Sequence, residues 1–397
     1  MTVPTLTLTL ILAGLAMVGP FAIDTFLPSF PSIGEQFAVA PEAVQQLLSA
    51  FLLAFAAMSL FYGTLSDAFG RRRVILSSLF VFTAASIGAA LSPTFGWLLA
   101  FRVLQGLCVG SGTVVGQAII RDRFSGPVAQ RLIAQVMMVF GLAPAVAPIV
   151  GGYLQAHFGW RAAFVFMALI AAVLLVACLR FLPESLPRAS RSAFHPVSLA
   201  RNYLAAIRNT RFLFGGLAAG FAFGGLGLYI ASSSSFVTHI LGLAETQFAW
   251  LFVPMVGGMV LGSALGSKLS HRAPPSVSIR LGFACMAIAS VANVAYSLAF
   301  AASVPWAVLP VMLYTFGLGL GLPGMSLMTL ELVPAMHGMA ASLLSFMQML
   351  IFAIMSSVVA PLLFDSALKL ALCVTACFVL SAGCWAISSL RQTAMAD

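Results

Sequence analysis

Charge is scarce in this chain: only 7% of its 397 residues are Asp, Glu, Lys or Arg, ten acids against nineteen bases. A soluble domain carries roughly a quarter of its residues as charges, so a water-surrounded fold is excluded on composition. Strand-length alternation is also missing, and the continuous apolar runs exclude a β-barrel. The first 23 residues contain no Lys or Arg. They lack the basic region of a secretory signal and read instead as a first membrane span. The six cysteines, at 108, 178, 285, 373, 377 and 384, all lie in apolar runs, which suits packing residues and implies neither a disulfide framework nor a metal site. Basic residues are scattered between spans and form no nucleic-acid module. No nucleotide loop, His-Glu-x-x-His or Gly-x-Ser-x-Gly occurs. Nothing therefore marks an enzyme, and no cofactor is expected.

What the chain has instead is apolar length, with 61% apolar residues and a mean hydropathy of +1.07. Cutting at charges, prolines and polar clusters predicts twelve spans, at 6–28, 44–66, 74–92, 96–119, 132–154, 161–181, 212–236, 246–267, 278–301, 305–328, 338–361 and 369–390. Each is long enough to cross about 30 Å of hydrocarbon. The fold class expected is an all-α polytopic membrane protein built as two six-helix halves, 1–181 and 212–397. A polar central loop, 182–211, joins them. With a cytoplasmic N-terminus, sixteen of the nineteen bases fall on the cytoplasmic side: Arg71, Arg72, Arg73, Arg121, Arg123, Arg131, Arg180, Arg188, Arg191, Arg201, Arg208, Arg211, Lys268, Arg272, Arg280 and Arg391. Arg161 and Lys369 fall outside, and Arg102 lies within a span. This bias predicts that both termini face the cytoplasm. Residues 198–212 read either as an amphipathic interfacial helix, with Arg201, Arg208 and Arg211 at anionic headgroups, or as a solvated linker. Six plus six spans is a layout of secondary transporters.

After span 2 comes "GTLSDAFGRRRVIL", residues 63–76. It resembles the loop signature of the major facilitator superfamily, with Gly63, Leu65, Asp67, Gly70, Arg71 and Arg72 matching and Ala68 standing where the family usually has Arg. The resemblance implies a cluster that latches the cytoplasmic side, with glycines serving a tight turn. "RVLQGLCVGSG" (102–112) is similar to the Arg-x-x-Gln-Gly signature of span 4. "APAVAPIVGG" (143–152) is similar to the span 5 signature associated with antiporters, through Pro148, Gly151 and Gly152. "DTFLPSFPSI", "AIIRD", "YIASSSSFV" and "LELVPAMHGMAASLLSFMQ" resemble the bicyclomycin/chloramphenicol resistance (Bcr/CflA) branch of drug:proton antiporters. Together these resemblances cover essentially the whole chain. They imply a major facilitator fold, a small amphiphilic substrate, proton coupling, a bacterial inner-membrane location and a monomer in the bilayer.

Sorting the ten acids by depth leaves one, Asp24, convincingly inside a span; among the bases only Arg102 is. An ionisable group in hydrocarbon costs at least ~2.5–3.5 kcal/mol and is a functional candidate by default. Counted at 1.5 Å per residue, both lie roughly 6–10 Å below the outer boundary. Asp24 reads as the proton carrier, with Arg102 either stabilising its deprotonated form or binding backbone carbonyls of a broken helix. The alternatives are that Asp24 caps backbone amides at the Pro28 and Pro31 break, and that Arg102 is a charged anchor for spans 1, 4 and 5. Glu331 is a second acid to watch. The substrate-pocket candidates are Tyr229, Ser233 and Phe236 in span 7, Phe51 and Phe55 in span 2, and Gln117 in span 4. Gly216, Gly220 and Gly224, then Gly258, Gly262 and Gly266, read as faces of close backbone approach. Gly317, Gly319 and Gly321, followed by Pro323, read as a deformable or broken helix. The expected activity is proton-driven export of hydrophobic or cationic drugs. The competing readings are export of an endogenous metabolite, such as an amino-acid derivative or siderophore, proton symport, or a non-transporting sensor.

Overall fold

The computed structural model describes residues 5–191, 195–270, 272–334 and 337–389. Arg391 and Asp397, residue 390 at the expected end of span 12, and residues 335 and 336 of the 330–348 motif lie outside these. Twelve helical runs are long and apolar enough to cross a membrane: Leu6–Phe37, Pro41–Ser59, Arg71–Ala90, Phe95–Arg123, Val128–Phe158, Arg161–Phe181, Thr210–Ala231, Glu245–Ser270, Pro275–Ala299, Leu309–Leu330, Gly338–Leu363 and Ala367–Ser389. They are spans 1 to 12 below. No strand occurs among the described residues. Hydrocarbon offers no water to a free amide, so each span closes its hydrogen bonds within itself.

The chain divides into two compact units, Met1–Pro196 and Val197–Asp397. In the first, span 1 does not stop at 28. An α-helix, Thr5–Asp24, gives way at Thr25 and Phe26 to a 3-10 turn, Leu27–Ser29, and then to a second helix, Phe30–Phe37. Pro28 and Pro31 fall in the first turns of these pieces, where a missing N–H costs nothing. Asp24 therefore ends one helix and lies further from the end of the helical run than the expected boundary implied. Span 2 ends at Ser59, and a separate helix, Tyr62–Phe69, carries the "GTLSDAF" stretch. Gly63 sits inside that helix with open space around it, so it serves no turn; Gly70, at φ +99°, does. Span 5 is helical from Gly126 to Phe158 straight through Pro144 and Pro148.

A helix, Pro196–Arg208, begins at the last residue of the first unit and leads the second, inside the stretch expected to be a loop. Leu199 and Ala206 are buried, while Val197, Arg201, Leu204 and Arg208 are exposed. Arg211 is not aimed at headgroups: its Nε donates to the Ser388 carbonyl at 3.2 Å. Asn209 caps span 7, its Oδ1 accepting from the Arg211 and Phe212 amides. Span 10 is a continuous helix, Leu309–Leu330, through Pro323, so the expected break is not there. The two-residue glycine spacing has a packing cause instead. A Cβ on Gly317 would fall 2.6 Å from the Gly282 carbonyl of span 9, and one on Gly319 would fall 2.2 Å from the Met259 carbonyl of span 8. Alternate glycines thus serve two neighbours. A Cβ on Gly258 or Gly262 would fall 2.2 or 2.0 Å from the Met312 or Phe316 carbonyl of span 10, and Gly266 meets Leu320. Gly216, Gly220 and Gly224 instead admit side chains of span 11, chiefly Met347 and Ile351. The breaks in the unit lie elsewhere. Past Ala231 the chain turns at Ser232 and runs into a π-helical turn, Phe236–Ile240; span 11 contains another, Met355–Val359, before a closing 3-10 turn, Ala360–Leu363.

Candidate functional site

Asp24 and Arg102 are each only 1% exposed. A charge so far from water needs partners, and Arg102 has several. Its Nε donates to the Leu47 carbonyl at 3.2 Å, and its Nη1 donates to the Ala22 carbonyl at 3.1 Å and to Gln105 Oε1 at 2.9 Å. Gln105 in turn donates to Ser86 Oγ at 2.7 Å, and Ser86 donates to the Phe82 carbonyl. The guanidinium lies between two aromatic faces, 4.0 Å from the Phe26 ring centroid and 4.3 Å from that of Phe51. Cation–π attraction is strongest where water is excluded, as here. Arg102 thus ties span 4 to spans 1, 2 and 3; the anchor read from sequence, over spans 1, 4 and 5, chose one wrong neighbour.

The Arg-x-x-Gln-Gly spacing now has a physical reading. Gln105, one turn on from Arg102, receives the guanidinium. Gly106 lets span 2 come so close that a Cβ would fall 2.3 Å from the Phe51 carbonyl. The result is a rigid, water-free cradle around one cation.

Asp24 is not in that cradle. Its Oδ1 has no hydrogen-bond partner, nor has Nη2 of Arg102, and among the described residues neither group forms an ion pair within 4.0 Å. Neither the turn at Leu27 nor the helix at Phe30 receives a side-chain cap, so the capping alternative for Asp24 finds no bond here. Beside it, Thr25 Oγ1 and Ser29 Oγ are also buried without partners. The helix break leaves three polar side chains with free hydrogen-bonding capacity close together in sequence. Span 5 presses on the same break, since a Cβ on Gly151 would fall 1.9 Å from the Thr25 carbonyl. Pro148 and Gly152, its companions in the span 5 signature, are buried as well.

The expected pocket residues fall into three places. Phe51 is fully buried on Arg102, and half-buried Phe55 packs its ring over Gly110, where span 4 is interrupted. Gln117 is half-buried and donates to Met137 Sδ at 3.6 Å. In the second unit Tyr229, Ser233 and Phe236 come together, with Tyr229 and Phe236 edge to face at 5.6 Å. Tyr229 also accepts from Asn293 Nδ2 at 2.6 Å. Asn293 was missed at the sequence level, and nothing but its polarity inside an apolar span could have flagged it. Glu331 follows directly after span 10 and is exposed. A separate cavity of about 420 Å³, open on one side and lined partly by His239, Phe300, Phe364 and Asp365, contains none of the expected pocket residues. Lys369 donates to Asp365 at 2.6 Å and holds its carboxyl below the usual range.

The loop signature forms a third cluster. Arg71 pairs with Asp67 at 2.6 Å and with Asp122 at 3.2 Å, while its backbone N–H donates to Glu184. Ser185 donates to Asp122, Arg191 pairs with Glu184 at 3.5 Å, and Arg72 donates to the Leu179 carbonyl. With Ala68 lacking a charge, Arg71 alone joins the two aspartates. Glu184 and Arg191 occupy the space where a Cβ on Gly70 would lie, so the turn glycine also makes room for this cluster.

A sequence profile of the Major Facilitator Superfamily matches residues 11–356. A bicyclomycin resistance protein homolog of Haemophilus influenzae is 30% identical over 92% of each chain. Multidrug resistance protein D of Escherichia coli is 26% identical, covering 97% of this chain and 96% of its own. Multidrug transporter MdfA of Edwardsiella ictaluri is 28% identical over 83% of this chain and 80% of its own. Among solved structures, a D-xylose-proton symporter superposes with a TM-score of 0.74 at 17% identity, covering 95% of this chain and 97% of that one. The human organic anion transporter MFSD10 superposes at 0.72 with 20% identity, covering 98% and 100%. At such identities the structural likeness speaks for the fold alone.

Proposed function

Because the chain belongs to the major facilitator superfamily, within its bicyclomycin-resistance (Bcr/CflA) branch, we propose that it exports small hydrophobic or cationic antimicrobials in exchange for protons. The observation that carries this reading is Asp24: a carboxylate at a helix break, buried, with an oxygen that nothing bonds. A group left so unconstrained can take up a proton when dehydrated and give it up when water or cargo reaches it. Arg102, fixed in its cradle, supplies a permanent positive charge in the same unit. One embedded acid gives one proton per substrate as the simplest exchange. That exchange is electrogenic for neutral cargo and electroneutral for a monovalent cation.

On this proposal the protein is a transporter and not an enzyme, acting as a monomer in a bacterial inner membrane with both termini in the cytoplasm. On that orientation the Arg71 cluster sits at the cytoplasmic ends of its helices and stabilises one of the alternating states. Export of an endogenous metabolite on the same scaffold is the second reading, favoured by the neutral hydrogen-bonding groups at Tyr229.

Drug efflux from proteoliposomes under an imposed proton gradient tests the main reading, with the intact protein compared to Asp24→Asn. The expected outcome is normal membrane abundance with gradient-driven export lost. A variant that pumps like the parent removes Asp24 from coupling.

A further inference from the structure

The run Ser232–Ser235 sits where the helix of span 7 ends, directly before the π-helical turn Phe236–Ile240. Such turns are rare and gather at functional sites. Its four hydroxyls have different fates. Ser235 donates to the Phe364 carbonyl at 2.7 Å, whereas Ser232 and Ser233, at 2% and 0% exposed, have no partner. Tyr229, one turn earlier, and Phe236, one turn later, touch each other, so Tyr229, Ser232 or Ser233, and Phe236 share one face. Across from it, Asn293 of span 9 bonds the Tyr229 hydroxyl, and Ser290, one turn before Asn293, is 2% exposed with no partner.

Unpartnered serines in a helix have a cheap remedy, a bond back to a carbonyl of their own turn. Ser59, Ser66, Ser86 and Ser111 of the first unit all take it. Ser232, Ser233 and Ser290 do not. Three neutral hydroxyls kept buried and unbonded each carry a desolvation cost; two lie on the stretch that follows Tyr229 and one lies a turn before its partner Asn293. Asn293 donates to Tyr229, so the tyrosine retains its own proton to give. No charged side chain is among the buried residues described in this unit.

We infer that Tyr229, Ser232, Ser233 and Ser290 form a hydrogen-bonding subsite for hydroxyl and amide groups of an uncharged amphiphile, with Asn293 as the residue that positions Tyr229. This deepens the export reading above and rests on it. The serines serve hydroxyls as donors or acceptors, Tyr229 donates to a carbonyl, and the Phe236 ring covers apolar parts of the cargo. The subsite is closed in this conformation and receives cargo when the span 7 face opens.

Equilibrium binding to the purified full-length protein tests this with two probes. Chloramphenicol is neutral and carries two hydroxyls and an amide; tetraphenylphosphonium is a cation with no hydrogen-bonding group. Ser233→Ala removes one oxygen that bonds nothing, so it leaves the fold intact. The dissociation constant for chloramphenicol is expected to rise about fivefold relative to that for the cation, the size of one ordinary hydrogen bond. Asn293→Ala shifts the same ratio, and the Tyr229→Phe, Asn293→Ala pair does no more than Tyr229→Phe alone, because Asn293 acts through the tyrosine. Equal changes for both probes, no change for chloramphenicol, or a parent that binds only the cation overturns the subsite and leaves the export reading standing. A parent that binds neither probe overturns both.

Discussion

The two units bury polar groups in hydrocarbon by different means. Among the described residues, every buried charged side chain, Asp24, Arg71 and Arg102, belongs to the first unit; the second buries serines, threonines, tyrosines and Asn293. The first unit offsets the cost of Arg102 with three hydrogen bonds, two aromatic faces and a relay through Gln105 to Ser86. The second settles several of its neutral groups on carbonyls, as Tyr314 does with Ala222 and Ser381 with Ala218. The difference teaches a division of labour. On the proposed exchange cycle, a carboxylate that gains and loses a proton works beside a fixed countercharge. A varied cargo is better met by neutral groups that bond many shapes.

Breaking the charged side of this comparison has the largest expected effect. Arg102→Ala leaves the Leu47 and Ala22 carbonyls and Gln105 without their partner and opens a gap between Phe26 and Phe51. A loss of about 3 kcal/mol or more is expected, the range found when one member of a buried charged network is removed, read as a large drop in the melting temperature of detergent-purified protein. Next comes Gly106→Ala, whose new methyl would fall 2.3 Å from the Phe51 carbonyl. Spans 2 and 4 are pushed apart at the cradle, with a cost of roughly 1–3 kcal/mol. Gly63→Ala, with nothing within 4 Å of its Cβ, is the matched control and stays at parent stability. The smallest effect belongs to the neutral side. Tyr314→Phe removes one hydroxyl whose acceptor, the Ala222 carbonyl, keeps its place in a helix, and costs about 1 kcal/mol. Should Tyr314→Phe destabilise the protein as much as Arg102→Ala, the division between units would not hold.

Much of this was legible along the chain. Apolar length and charge spacing are local quantities, and they predicted twelve spans and singled out Asp24 and Arg102 as the embedded pair. The first span's boundary slipped because prolines were read as its end: Pro28 and Pro31 start new helical turns instead of stopping the span. Pro323, read as a bend or break within span 10, lies in an unbroken helix. A missing N–H matters only in the interior of a helix whose neighbours cannot compensate. The glycines at 317, 319 and 321 looked like a weak point for a related reason. The sequence shows the absence of a side chain but not which neighbour fills the space.

By itself the sequence determined the all-helical membrane class, the number of spans and the identity of the two ions buried deep within spans, because hydropathy and solvation cost attach to each residue wherever it sits. Only the tertiary structure decided what those ions touch. Arg102 finds its partners 80 and 55 residues earlier, at Ala22 and Leu47, and its Gln105 relay ends on Ser86. Asp24, close by in the same unit, is left with an unbonded oxygen. Which carbonyl faces which side chain depends on helix rotation and close approach between spans distant in sequence, and no local pattern encodes that.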